Sequence, residues 1–236
     1  QQVGFSNWSN TSYFHKPSAD YISDIWKRAR GYFDIVAYIG DGNTNRSVTH
    51  NLGVVPEMMW IKNRDEAGVY WVVYHKDLGA NKEIILNAND GVRSVDQFNN
   101  TAPTSSVFTV GTPSGPDLQY VNKNNINFVN YLFATAPGVS KVGSFTQSGA
   151  TNVDCGFTGD TPSFILLKRT DADTGDWLTF DSARGIVAGN DPSLDLNSTD
   201  AEVTNADVVD PYSGGFATTA NLANGDYIFY AIAATS

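Results

Sequence analysis

Pro56-Glu57-Met58-Met59-Trp60-Ile61-Lys62 recurs as Pro162-Ser163-Phe164-Ile165-Leu166-Leu167-Lys168, 106 positions further along the chain. The match runs on without a gap through Asp65 on Asp171, Trp71 on Trp177, Tyr74 on Phe180 and Gly79 on Gly185. After a few inserted residues Leu86-Asn87 meets Leu196-Asn197, Phe108 meets Phe216, and Phe128-Val129-Asn130-Tyr131 meets Tyr227-Ile228-Phe229-Tyr230. A register held over that distance marks an internal duplication, and any fold proposed for one half must serve for the other.

Working outward from the shared segment, copy one carries short apolar runs at about 34–39, 46–50, 57–63, 69–75, 83–87, 106–110 and 127–134. Each has strand length, and turn residues such as Asp41-Gly42, Glu66-Ala67-Gly68 and Asn89-Asp90-Gly91 separate them. About seven short strands per copy predict an all-β fold, with tandem antiparallel β-sandwich repeats of jelly-roll-like form. The expected division is an N-terminal arm over 1–33, repeat 1 over 34–140 and repeat 2 over 141–236.

A third fragment of the repeat lies at the start. Asp20-Tyr21-Ile22-Ser23-Asp24-Ile25-Trp26 resembles Asn127–Phe133 and Asp226–Ile232, and Gly4-Phe5 matches Gly215-Phe216. Residues 1 to about 30 therefore read as the last two strands of a further copy. Two strands do not stand alone in water, so the apolar residues Tyr21, Ile25 and Trp26 are expected to act as an assembly arm, pairing with another copy or chain. The alternative is an arm lying on the first repeat.

Composition narrows the partners. The chain has 236 residues, a formal net charge of -10 and only 17% charged residues. Its 15 Lys and Arg are spread along the sequence, without the clustered basic face that a phosphate backbone requires, so nucleic acid is not an expected partner. No apolar run reaches the length of a membrane-spanning helix, and no membrane insertion is expected. The lone Cys155 rules out an internal disulfide framework and reads as a small buried hydrophobe.

With the strands and copies in place, longer motifs carry a resemblance. They are Thr49-His50-Asn51-Leu52-Gly53-Val54-Val55-Pro56-Glu57-Met58, Asn100-Thr101-Ala102-Pro103-Thr104-Ser105-Ser106-Val107-Phe108, Pro137-Gly138-Val139-Ser140-Lys141-Val142-Gly143-Ser144, Asp154-Cys155-Gly156-Phe157, and Asp181-Ser182-Ala183-Arg184-Gly185 running on to Pro192. Together these resemble a duplicated β-domain of unknown function found in tail-fibre-like virion proteins of marine and cyanobacterial phages. The resemblance spans nearly the whole chain and implies a place, the extracellular virion, more than a chemistry.

Candidate sites are few. Asp171, Asp173 and Asp176 surround a glycine in one turn, the oxygen-rich pattern of a calcium loop. A plain hairpin turn explains the same residues and is the preferred reading; no other cofactor is expected. Asn190, Asp191 and Asp195 form an acidic loop inserted only in copy two, where a contact surface is expected. His15, His50 and His75 have no histidine counterparts. Without a nucleophile elbow, a zinc-binding helix or a phosphate loop, no enzyme is expected. Trp71 and Trp177 lie on the opposite strand face from Tyr74 and Phe180; one of each pair is expected in the core, preferably Trp71 and Trp177, while the other could form a stacking platform for a sugar or a packed neighbour.

The expected function is that of a phage virion structural protein, a tail fibre or appendage component that presents loops for host attachment and packs against symmetry mates. Its partners would be further copies of itself or other virion proteins, together with a host cell-surface glycan or protein. The alternatives are a self-assembling coat, head decoration or filament subunit and, more weakly, a polysaccharide depolymerase.

Overall fold

The computed structural model describes residues 21–113, 120–158 and 162–234. All fifteen strands pair antiparallel, and no helix occurs among the described residues. Copy one supplies β1 (Phe33–Ile39), β2 (Arg46–Thr49), β3 (Met58–Asn63), β4 (Trp71–His75), β5 (Ile84–Ile85), β6 (Val107–Val110) and β7 (Asn127–Phe133). Copy two supplies β8 (Ser140–Gln147), β9 (Thr151–Asp154), β10 (Pro162–Arg169), β11 (Trp177–Asp181), β12 (Leu194–Asp195), β13 (Val209–Tyr212), β14 (Gly215–Thr218) and β15 (Gly225–Ala233). Each of the seven runs read from copy one forms a strand.

The two copies build the same sheet. Copy one orders its five strands β1-β7-β3-β4-β5, and copy two orders the equivalents β8-β15-β10-β11-β12. Register agrees as well: Met58 lies opposite Phe133 and Trp60 opposite Tyr131, as Phe164 lies opposite Ile232 and Leu166 opposite Tyr230. A smaller sheet covers one face of each, β2-β6 in copy one and β13-β14-β9 in copy two. Under the first cover Met59, Ile61, Val72, Tyr74, Phe108 and Phe128 pack together. Under the second, Ile165, Leu167, Phe180, Phe216 and Phe229 do the same.

The remaining faces of the two large sheets meet each other. Met58, Trp60, Val73, Ile84 and Phe133 from copy one share a core with Val142, Phe164, Leu166, Trp177, Ile228 and Tyr230 from copy two. Equivalent positions of the repeat face one another, as in an isologous dimer contained in one chain. Strand β3 accordingly shows no polar face: Met58 to Ile61 are all buried, because alternate residues feed the outer core and the seam. The connection from β7 to β8 is short and pinned, with Ser140 Oγ donating to the Ala134 carbonyl at 2.8 Å and Val142 N to Thr135 Oγ1 at 3.1 Å.

Polar groups fasten the seam. Trp177 Nε1 donates across it to the Ile85 carbonyl at 2.8 Å, and Lys168 Nζ to the Asn89 carbonyl at 3.0 Å. Gly91 sits so close to copy two that a Cβ there would fall 2.6 Å from the Ala172 carbonyl oxygen; a side chain would prise the seam apart.

The start of the described chain packs on the body of the same chain. Residues 21–28 form no strand. They lie on this chain's own seam, where the Trp26 ring meets Trp60 and Phe133 of copy one at 6.4 and 6.3 Å and Phe164 of copy two at 5.8 Å. Gly4-Phe5, His15 and Asp20 lie outside the described residues. Tyr21 and Ile25 are exposed, at 53% and 69%.

One buried ionisable pair belongs to copy one alone. Glu83, fully buried, lies 3.4 Å from the Arg93 guanidinium, whose other face covers the Tyr70 ring. The matching bridge in copy two joins Ser193 and Val203, so the fold does not require an acid here. Burial lifts the Glu83 carboxyl from 4.5 to about 7, with the Arg93 charge opposing the rise. The folded chain then holds this proton more tightly than the unfolded chain does. Its stabilising contribution is complete below about pH 4.5 and is lost as pH rises through about 7. In urea titrations, the unfolding free energy of the native protein relative to Glu83→Gln is expected to fall by about 2 kcal/mol between those pH values. A difference independent of pH would contradict the assignment.

Candidate binding cleft

The backbone around Trp71 and Trp177 is the same in both copies. Asn87 Oδ1 accepts from Trp71 N at 2.8 Å, and Asn197 Oδ1 accepts from Trp177 N at 2.7 Å. Leu86 N donates to the Trp71 carbonyl at 3.0 Å, and Leu196 N to that of Trp177 at 2.8 Å. Lys62 Nζ donates to the Val69 carbonyl, and Lys168 Nζ to that of Gly175, the matching residue. Both tryptophans thus leave equivalent strands toward the seam.

Their side chains part company there. Trp177 is 1% exposed and its indole N–H is satisfied by Ile85. Trp71 is half-buried and forms one wall of an open cleft of about 490 Å³, together with Trp26, Phe33, Trp60, Leu86, Asn87, Tyr131, Phe133 and Leu196. The surrounding residues carry the asymmetry. Copy one has Phe33, Trp60 and Phe133 where copy two has Ser140, Leu166 and Ile232. The larger rings, with Trp26 among them, keep this end of the seam open.

Inside the cleft the rings form a ladder. Trp71 stacks on Tyr131 at 6.1 Å and 26°, and Tyr131 on Phe33 at 6.2 Å and 17°. The Lys62 ammonium stands 6.0 Å from the Trp71 ring centre, a cation–π distance, and burial lowers its pKa. Asn87 is the one lining residue with an amide. Its Oδ1 is engaged by Trp71 N, while its Nδ2 takes no protein acceptor among the described residues. In copy two Asn197 Nδ2 donates to Asp176 at 2.7 Å; Tyr70 stands at the corresponding place in copy one. None of the nine lining residues is an acid, a histidine or a lysine. This wall can stack and hydrogen-bond.

The acidic residues singled out in the sequence lie elsewhere. Asp171 accepts from Arg169 Nε at 2.7 Å and Asp176 from Asn197. No group of three acidic, histidine or cysteine side chains among the described residues, Asp173 included, gathers as metal ligands. Asp191, expected on a contact surface, is fully buried and accepts from Val187 N and Val209 N at 3.1 Å and from Val208 N at 3.3 Å. It braces its loop from within, and burial raises its pKa against those hydrogen bonds. Asn190 is exposed and Asp195 half-buried beside β11. Of Tyr21, Ile25 and Trp26, Trp26 alone lines the cleft.

His50 and His75 serve turns. His50 Nδ1 accepts from Leu52 N at 3.2 Å and His75 Nδ1 from Asp77 N at 3.3 Å. Asp181, which replaces His75 in copy two, accepts from Ala183 N in the same way at 3.0 Å. Burial lowers His75 to about 4 and raises Cys155 to about 12, leaving a neutral imidazole and an unreactive thiol. Trp60 and Tyr131 were missed as site residues. The signal that marks Trp60 is an aromatic ring where the equivalent residue of copy two, Leu166, is aliphatic.

The family described as Domain of unknown function (DUF7483) matches residues 8–235, both copies included. No curated protein and no solved structure matches the chain.

The two tryptophans should respond unequally to the same change. Trp177→Phe removes a buried donor, strands the Ile85 carbonyl and leaves a void, and is expected to destabilise by about 2–4 kcal/mol. Trp71→Phe at the open wall is expected to cost about 1 kcal/mol or less. Urea unfolding of the two variants checks the difference; equal losses would contradict the asymmetric seam.

Proposed function

The chain belongs to the DUF7483 family, and we propose that it is a phage virion structural protein, a component of a tail fibre, spike or other tail appendage that works by surface contact. The motifs at 49–58, 100–108, 137–144, 154–157 and 181–192 support the setting through their resemblance to tail-fibre-like virion proteins. The observation that carries the contact role is the open aromatic cleft at the seam. A fold that buries Trp177 completely at one position leaves Trp71 half-exposed at its equivalent. Repeated on a symmetric appendage, even a weak contact of this kind adds up to durable attachment.

A second reading, a self-assembling coat, decoration or filament subunit, is favoured by the exposed Tyr21 and Ile25 beside Trp26. Apolar side chains of that size on one short segment suit a protein neighbour.

Antibody raised against the full chain and imaged by electron microscopy on intact particles separates the readings. Label confined to tail appendages is the expected result. Label over the head or along a filament would favour the second reading, and particles carrying no label would overturn both.

A further inference from the structure

We infer that the seam cleft is a saccharide subsite in which the face of one neutral pyranose ring stacks on Trp71 while Asn87 Nδ2 donates to a ring hydroxyl. The inference rests on the attachment reading above and gives that contact a chemical class.

The fold itself does not call for a cleft. Copy two takes the same strands, the same Asn–Trp backbone clasp and the same lysine, and closes the position over a buried Trp177. Copy one departs at two groups together. One is the half-exposed Trp71 ring, backed by Tyr131 and Phe33 in near-parallel planes. The other is the amide nitrogen of Asn87, which has no protein acceptor among the described residues although its counterpart donates to Asp176. A flat apolar platform and a solvent-exposed donor at its edge are thus displayed side by side.

A pyranose has the matching form. One face presents C–H groups that gain by leaving water for an aromatic surface, while its rim of hydroxyls must stay hydrogen-bonded. A hydrocarbon chain would leave Asn87 unused. The lining residues carry no formal charge, and the cation beside the platform, Lys62, is already engaged by the Trp71 ring and the Val69 carbonyl, which suits a neutral ring. The volume, about 490 Å³, falls within the range of small-molecule sites.

The test uses the full chain and a set of neutral oligosaccharides ending in hexose or N-acetylhexosamine, read by saturation-transfer NMR and by titration calorimetry. At least one member is expected to bind, with transfer concentrated on the C–H protons of one ring face. Trp71→Ala is expected to weaken that binding about tenfold. Asn87→Asp keeps the Oδ1 acceptor for Trp71 N but exchanges the Nδ2 donor for a charged carboxylate oxygen, so it is expected to fold normally and weaken binding of a neutral sugar several-fold. Should Trp71→Ala misfold, Asn87→Asp decides alone. No binding by any member at millimolar concentration, or binding untouched in the correctly folded variants, overturns the inference. If the antibody labels tail appendages and no sugar binds, the saccharide subsite fails and the attachment reading stands. If sugar binds and the particles carry no label, the virion setting fails instead.

Discussion

The architecture depends on covering both faces of two five-stranded sheets. A chain in which Met58, Met59, Trp60 and Ile61 follow one another in a single strand, and Phe164 to Leu167 in another, cannot leave either sheet face in water. One face of each sheet is covered by two or three short strands of its own copy. The other faces, nearly alike in outline because the copies are related by duplication, cover each other. Duplication therefore does more than repeat a fold: it supplies the second half of a core that neither copy completes by itself.

Much of this was legible in the sequence. The matched segments gave the strand order, and the turn residues between them gave the strand number, since both are set by local chemistry that survives in each copy. Seam packing was harder to see. The expected two-sided strand, with core aromatics on one face and exposed partners on the other, placed Trp71 and Trp177 alike; in the structure both faces are covered and the two differ. A run of four buried apolar residues in β3 is the mark of burial on both faces. Within this chain the described residues of the stretch 20–26 form no strand, and Trp26 packs on the rings of the seam.

The site was less legible, for a physical reason. Acidic turns and a conspicuous insertion draw attention in a sequence, yet Asp171, Asp176 and Asp191 are engaged with their own neighbours, where carboxylates organise turns and loop amides. The cleft comes from bulk: Phe33, Trp60 and Phe133 against Ser140, Leu166 and Ile232. Hydrophobic for hydrophobic at most of these places, the differences look conservative along the chain. They become visible as a site only when the two copies are laid against each other across the seam, with one tryptophan locked and its twin open.

The claim that equivalent sheet faces form one shared core rests most directly on the bond from Trp177 Nε1 to the Ile85 carbonyl, which joins the copies inside that core. Hydrogen exchange of the indole N–H protons, followed by NMR, tests it. The Trp177 resonance is predicted to be protected as strongly as the backbone amides of β3 and β10, opening only when the whole molecule unfolds. Exchange of that proton at the rate of an exposed indole, with the strand amides still protected, would show that the two sheets do not meet across a common core.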